Sequence, residues 1–228
     1  MIVHENDPIT LIGGAGVSDR LLDRALGLAD RVVAADSGAD RALAHGVTPR
    51  AVIGDFDSIS DHARAALPEA ILHHMPDQHS TDFDKCLRSI AAPLILGVGF
   101  CGDRLDHQLA ACNALVRYPA QRCVLLGEVD LMFLCPPAIH LPLDPGCRVS
   151  LFPMGAVEGA SDGLQWPIRG LNFAPDGQSG TSNAATGPVH LTVTAPKMLV
   201  MLRVDRLDIV VTALAESAAR WPDGANPR

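Results

Sequence analysis

Between residues 9 and 129 the chain alternates short runs of β-branched and aliphatic residues with stretches whose apolar residues recur at helical spacing. Few folds accept that pattern. The strand-like runs are Ile9–Gly14, Arg31–Asp36, Ala51–Asp55, Ile71–Met75, Leu94–Gly99 and Cys123–Val129. The first helical stretch starts near Ser18, a side chain able to cap it, and lines up Leu21, Leu22, Ala25, Leu26 and Ala29 on one face. Ala39–His45, Asp61–Leu67 behind Ser60, Asp82–Ile90 behind Thr81, and Asp106–Arg117 fill other gaps. Strand and helix in repeated alternation predict a doubly wound parallel sheet, because parallel neighbours need a crossover and a helix supplies it.

Past Cys135 the pattern changes. Cys135–Gly146 holds four prolines, which cannot donate inside a sheet and suit a linker or an edge. Short strand-like runs then follow without long helices between them: Arg148–Pro153, Leu164–Ile168, Leu171–Ala174, Val189–Thr194 and Leu199–Val204. Gly and Pro punctuate them closely, which predicts an antiparallel sheet or sandwich. A helix over Leu207–Trp221 precedes a polar tail expected to fray. The expected fold class is α/β, with a doubly wound parallel-sheet domain over 1–135 and a smaller antiparallel β-sandwich domain with a C-terminal helix over 136–228.

Composition removes several function classes. Hydrophobic residues make up 48% and charged residues 19%, the balance of a globular chain. A net charge of −8 opposes general nucleic-acid binding, since a phosphate backbone would meet net repulsion. No apolar run approaches the roughly 20 residues of a membrane span, and the first residues lack the basic-then-apolar form of a secretory signal. The expectation is a cytoplasmic protein without nucleic-acid or membrane partners. The six cysteines contain no Cys-x-x-Cys pair and read as reduced, buried apolar residues. Of 18 basic residues only Lys85 and Lys197 are lysines, so each lysine merits attention.

Ligands of an open parallel sheet bind beyond the carboxyl ends of its strands. Four successive strand ends carry acids there: Ala35-Asp36-Ser37-Gly38-Ala39-Asp40, Gly54-Asp55-Phe56-Asp57-Ser58, Ser80-Thr81-Asp82-Phe83-Asp84-Lys85 and Gly102-Asp103-Arg104-Leu105-Asp106-His107. A single Asp in a turn is usually a cap or turn former, and Asp40 and Asp84 suit that role. Asp55 and Asp57 point the same way if the strand extends through them. Carboxylates gathered so closely repel unless a cation lies among them, and Mg²⁺ is the natural one, being oxygen-seeking and readily shared with phosphates. Lys85 and Arg104 suit phosphate oxygens. Gly13-Gly14-Ala15-Gly16 is neither a P-loop nor a dinucleotide fingerprint and reads as a plain strand-to-helix turn. His73, His74 and His79 do not form a metal-ligand pattern, since adjacent strand residues face opposite ways.

Taken together, Ala35–Ala39, Gly54–Ser58, Thr81–Lys85 and Arg104–His107 resemble the motif series of thiamine pyrophosphokinases, and Gly163-Leu164-Gln165-Trp166 with Thr181-Ser182-Asn183 resembles the thiamine-binding segments of that family. The resemblance implies an α/β domain followed by a β-sandwich, in a homodimer with active sites at the subunit interface. It implies transfer of the pyrophosphoryl group of ATP to the thiamine hydroxyl, giving thiamine diphosphate and AMP, with Mg²⁺. Carried onto this chain, Asp55, Asp57 and Asp82 would hold the metal, and Lys85 and Arg104 would clamp phosphates. Asp36, Ser37, Gly38 and Thr81 would line the nucleotide pocket, and Asp106, His107 and Asn113 would shape its neighbouring wall. Trp166, Thr181, Ser182 and Asn183 would meet thiamine, the indole facing its thiazolium cation. Asp103 departs from the family, which usually has a glycine there, and Gln165–Gly180 is richer in Pro and Gly than a strand pair should be. A pterin pyrophosphokinase would share the acidic rim but lack the Trp166 and Asn183 segments. A non-catalytic nucleotide-binding module would not need Lys85 and Arg104 beside paired acids.

Overall fold

The structure of the protein, a computed structural model, describes residues 1–102 and 104–222. Asp103 and residues 223–228, the end of the expected polar tail, lie outside the described residues. The chain is a mixed α/β protein with a large sheet, and it divides into two compact units: Met1–Ala114 with Cys123–Glu128, and Leu115–Arg122 with Val129–Arg228.

The first stretch runs β1 (Val3–His4), β2 (Ile9–Ile12), α1 (Asp19–Leu28), β3 (Arg31–Ala35), α2 (Gly38–Ala44), β4 (Ala51–Gly54), α3 (Asp61–Ala66), β5 (Leu72–His74), α4 (Asp82–Ser89), β6 (Ile90–Ala91), β7 (Ile95–Val98), α5 (Leu105–Arg117) and β8 (Cys123–Leu126). The ladder order β8-β7-β2-β3-β4-β5 is parallel throughout, as the alternation predicts, while β1 and β6 form a separate parallel pair. Every residue of β2, β4, β7 and β8 is buried, the mark of a parallel sheet covered on both faces. The helices start where polar side chains capture free N–H groups. Ser18 Oγ accepts from Leu21 N at 3.3 Å and Ser60 Oγ from Ala63 N at 3.0 Å, while Thr81 and Asp84 form a reciprocal capping box on α4. From β2 the chain moves to β3 on one side, and only later returns to place β7 on the other. The crevice between the ends of β2 and β7 is therefore the switch point where such sheets bind ligands.

The second stretch holds β9 (Asp130–Leu134), β10 (Ala138–Leu141), β11 (Arg148–Pro153), β12 (Val157–Leu164), β13 (Asn172–Phe173), β14 (Thr181–Val193), β15 (Met198–Arg203) and α6 (Leu207–Glu216). Its ladders are antiparallel. β14 pairs with β11 through Thr181–Ala184 and with β10 and β12 through Val189–Val193, so one long strand serves different partners at its two ends. Three expectations need correction. The strand sought at Leu164–Ile168 lies earlier, at Val157–Leu164, because pairing with β14 outweighs the low strand propensity of Glu158-Gly159-Ala160. The Pro-rich segment contains β10, which pairs with β14, with Pro136, Pro137 and Pro142 just outside it. The last helix stops at Glu216, not Trp221. Arg122 donates to Ser217 O at 2.6 Å and Ala219 O at 3.2 Å, and Trp221 Nε1 donates to Cys135 O at 2.8 Å, so the segment beyond the helix is tied down in extended form. Among the described residues no helix is long and apolar enough to cross a membrane.

Gly163 explains one letter of the Gly-Leu-Gln-Trp segment. It sits at a register shift between β12 and β14 with φ of +79°, and a Cβ there would lie 2.0 Å from Pro188 O. Gly170 also has positive φ, +84°, but open space around it. Gly170→Ala is expected to cost only the left-handed backbone penalty, about 1 kcal/mol, whereas Gly163→Ala adds a backbone clash and should cost at least about twice that. Equal losses in denaturant unfolding would show that the bulge tolerates a side chain.

Candidate active site

Asp36 leaves the end of β3 with φ of +45° and is almost fully buried. Its carboxylate accepts from Phe56 N at 2.7 Å and Ser58 N at 3.2 Å, so it fastens the turn that follows β4. Phe56, at the centre of that turn, has φ of +62°, a conformation costly for an aromatic residue unless its surroundings hold it. Asp36 supplies one hold. The Phe56 ring, packed near His74 and Arg64 and against the apolar cluster around Ala34 and Val52, supplies another. The strand ends at Gly54, so Asp55 and Asp57 are not same-face residues of an extended chain as the sequence suggested. The turn nevertheless brings an oxygen of each within 4.8 Å of the other and of Asp36.

Lys85 is the buried centre of this edge. Its side chain is 1% exposed, and Nζ donates to Asp55 Oδ2 at 2.7 Å and Asp82 Oδ1 at 2.9 Å. Burial alone would lower the Lys85 pKa, but the two carboxylates outweigh it and hold the ammonium charged. Burial likewise pushes Asp55 upward, and the Lys85 hydrogen bond and charge reverse this, leaving its carboxyl below the ordinary range. Asp36 has no such cation. Desolvation, then the charge of Asp82, raises its pKa despite the two backbone donors. Gly54 makes the cluster possible, since a Cβ there would stand 2.9 Å from Asp36 Cβ and 3.2 Å from Asp82 Oδ1. Asp55 Oδ1 is buried with no hydrogen-bond partner, an oxygen left for a cation.

A cavity of about 460 Å³ opens beside this cluster at the switch point. Asp36, Ser37, Thr81, Asp82, Arg104 and His107 line it, together with Gly13, Gly14 and Gly16 after β2 and Gly99 and Gly102 after β7. The glycines read as a plain turn are thus part of a cavity wall. Their spacing matched no phosphate motif; the signal was the close approach of two strand ends, which one sequence cannot display. A Cβ on Gly13 would lie 2.5 Å from Gly99 O, and one on Gly38 would lie 2.0 Å from Ile12 O. Arg104 is exposed and forms a two-pronged pair with Asp106, Nε to Oδ1 at 3.2 Å and a terminal nitrogen to Oδ2 at 2.6 Å. Asn113 lies on an exposed face of α5 and is not among the cavity's lining residues. Asp84 caps α4, and Asp40 accepts from the backbone and hydroxyl of Ser60 at the start of α3, so both have structural partners. Gln78, unremarked in the sequence, reaches Asp55 Oδ2 at 3.3 Å.

In the second unit Trp166 is 56% exposed, just beyond β12, while Thr181, Ser182 and Asn183 open β14. Asn183 is buried. Its Oδ1 accepts from Trp166 N at 3.1 Å and its Nδ2 donates to Trp166 O at 2.7 Å, so this amide grips the tryptophan backbone rather than facing outward. Four of the six cysteines are buried and all are free, with burial pushing the Cys101 and Cys135 thiols up to about 12.

Lys85 and its carboxylates give the edge a defined pH window. Asp55 has a lowered folded-state pKa, so its contribution is full above the unfolded value, about 3.9, and is lost as pH falls through the folded one. Lys85 has a raised pKa, so its contribution is full below about 10.4 and is lost as pH rises through the folded value. Lys85→Met is expected to cost up to about 3 kcal/mol near pH 7, since it strands two partly buried carboxylates, and less below about pH 4. A penalty independent of pH would disprove the pairing; Lys197→Met is the control.

Residues 22–126 match the family profile described as thiamin pyrophosphokinase, catalytic domain. The chain is 31% identical over 154 residues to thiamine pyrophosphokinase 1 of Arabidopsis thaliana and 30% identical over 154 residues to thiamine pyrophosphokinase 3 of Oryza sativa subsp. japonica. Each match covers 59% of this chain and 58% of the relative, so it spans less than two thirds of these plant proteins. Its fold is similar to the crystal structures of yeast thiamin pyrophosphokinase (TM-score 0.72, 18% identity, 91% of this chain and 89% of that one) and of thiamin pyrophosphokinase from Geobacillus thermodenitrificans (0.70, 21%, 86% and 96%). The acidic strand ends that build the candidate site all fall within residues 22–126, the stretch that is similar to the catalytic domain of thiamin pyrophosphokinase.

Proposed function

We propose that the protein transfers the pyrophosphoryl group of ATP to the hydroxyl of thiamine, giving thiamine diphosphate and AMP. The observation that carries this reading is the carboxylate cluster of Asp36, Asp55 and Asp57, with an unpartnered Asp55 oxygen, next to a cavity that Asp36, Asp82, Arg104 and glycine turns line. Small residues let a polyphosphate approach the backbone closely. Mg²⁺ fits the all-oxygen donor set, held by Asp55 and Asp57 with Asp36 or Asp82, and when bound would neutralise phosphate charge.

The hydroxyl oxygen attacks the β-phosphorus. The bond from that phosphorus to the oxygen bridging it to the α-phosphorus breaks, that oxygen leaves with AMP, and the hydroxyl proton passes to a carboxylate of the rim. Little covalent chemistry falls to the protein, so positioning and charge dominate. Lys85 would act by holding Asp55 and Asp82 in place rather than by reaching the phosphates, since its ammonium is buried and already donates to these two carboxylates. Arg104, exposed at the cavity, would be the phosphate clamp, exchanging Asp106 for substrate. Trp166, Thr181 and Ser182 would form the thiamine site on a β-sandwich domain. In a homodimer the indole of one subunit would face the acidic rim of the other. Both domains would act in the cytoplasm.

Incubation with ATP, Mg²⁺ and thiamine is expected to release AMP; ADP would indicate a simple kinase, and neither product a binding module. Asp57→Asn should lower turnover about 10²–10⁴-fold, the effect of losing a central electrostatic group, and leave metal-free stability unchanged or higher as repulsion is relieved. A variant retaining near-normal activity and Mg²⁺ dependence would refute the assignment. Mixing inactive Asp57→Asn chains with inactive Trp166→Ala chains should restore up to about a quarter of the activity, because half of randomly exchanged dimers would carry one intact composite site. Subunits that exchange yet stay inactive would place both residues in one chain's site.

A further inference from the structure

The loop leaving β12 presents an indole outward while its backbone is fixed from below. Trp166 makes no hydrogen bond or ring contact through its side chain among the described residues, yet both of its peptide groups are bound by Asn183. The same amide accepts from Ala184 N at 3.0 Å and lies 3.5 Å from Thr181 Oγ1. Turning it over would set its NH₂ against the N–H groups of Trp166 and Ala184, so these partners fix its orientation. Two residues on, Ile168 is fully buried, and its N–H donates to Ser161 Oγ at 3.2 Å. Pro167 restricts the backbone between these two points. Gln165 N donates to Ala184 O at 2.9 Å on the other side.

Buried polar groups are costly unless satisfied, and few are retained without a purpose. Among the described residues the buried polar or charged side chains of the second unit are Arg122, Ser161 and Asn183, and two of these three direct hydrogen bonds at this loop. We propose that Asn183 and Ser161 are positioning residues, which hold Trp166 as a preformed platform for a flat, cationic heteroaromatic ring. Asn183 acts through the tryptophan backbone and does not touch the substrate. The platform's occupant rests on the thiamine reading above; the clamp does not.

A rigid platform spares the ligand the cost of ordering the loop, so loss of the clamp should appear in binding and leave the transferred phosphorus unaffected. Asn183→Ala is expected to speed hydrogen exchange of the Trp166 amide at least about tenfold, and to raise the thiamine KM about tenfold with kcat within about twofold and the ATP KM unchanged. Ser161→Ala should act in the same direction at the Ile168 amide, and Ser161→Thr, which keeps the oxygen, should restore wild-type values. That pair tests the proposal even if Asn183→Ala fails to fold. Faster exchange with an unchanged thiamine KM in a background where Trp166→Ala raises it would overturn the positioning role and leave the thiamine reading intact. A Trp166→Ala protein with normal thiamine KM would instead overturn the thiamine reading. Unchanged exchange in both Asn183→Ala and Ser161→Ala would overturn the clamp itself.

Discussion

A buried ammonium between two carboxylates is the interaction on which the candidate site depends. Parallel strands deliver their ends to one edge, and here those ends carry Asp36, Asp55 and Asp82. Three acids at such distances would repel one another apart or take up protons. Lys85, one turn into α4, pairs with Asp55 and Asp82 and so offsets the charge of two of them. The rarity of lysine in this chain fits that duty. An arginine has a broad planar head and five donors, too large and too rigid a fork for a pocket 1% exposed and formed by two single oxygens.

Backbone closeness is the second condition. Gly13, Gly38, Gly54 and Gly99 each stand where a Cβ would fall within 3 Å of a neighbouring backbone or carboxylate atom. None of these contacts adds much stability. They bring three strand ends near enough for one cavity to touch all of them. The costs are local: positive φ at Asp36 and Phe56, offset by hydrogen bonds from the turn to a buried carboxylate.

Much of this was legible in the sequence because parallel-sheet units are locally encoded. Ser18, Ser60 and Thr81 announce helix starts, and four aliphatic runs announce the fully buried strands, within one to three residues at their ends. The strand-end rule then locates the acids without further information, and the family resemblance agrees with the profile that residues 22–126 match. The roles were harder to read. The burial of Lys85 against Asp55 and Asp82 has no local signal, and the Asp55–Phe56–Asp57 alternation fails because Phe56 turns the chain with positive φ. The second unit resisted for a different reason. Strand β12 has weak propensity and exists through its pairing with β14, and β10 hides among prolines, so both depend on contacts distant in sequence.

The same contrast separates two kinds of asparagine and tryptophan. Asn183 and Trp166 lie 17 positions apart, and nothing local joins them, yet two hydrogen bonds make them one element. A short motif such as Thr-Ser-Asn therefore does not divide into three equivalent contacts. Strand alternation turns Ser182 outward and Asn183 inward, so one can face a ligand while the other can only hold something that does. The same distinction governs Lys85 and Arg104: the buried cation shapes the site, and the exposed one is free to exchange partners. In both units, burial rather than residue type divides the groups that build a surface from those that can meet a substrate there.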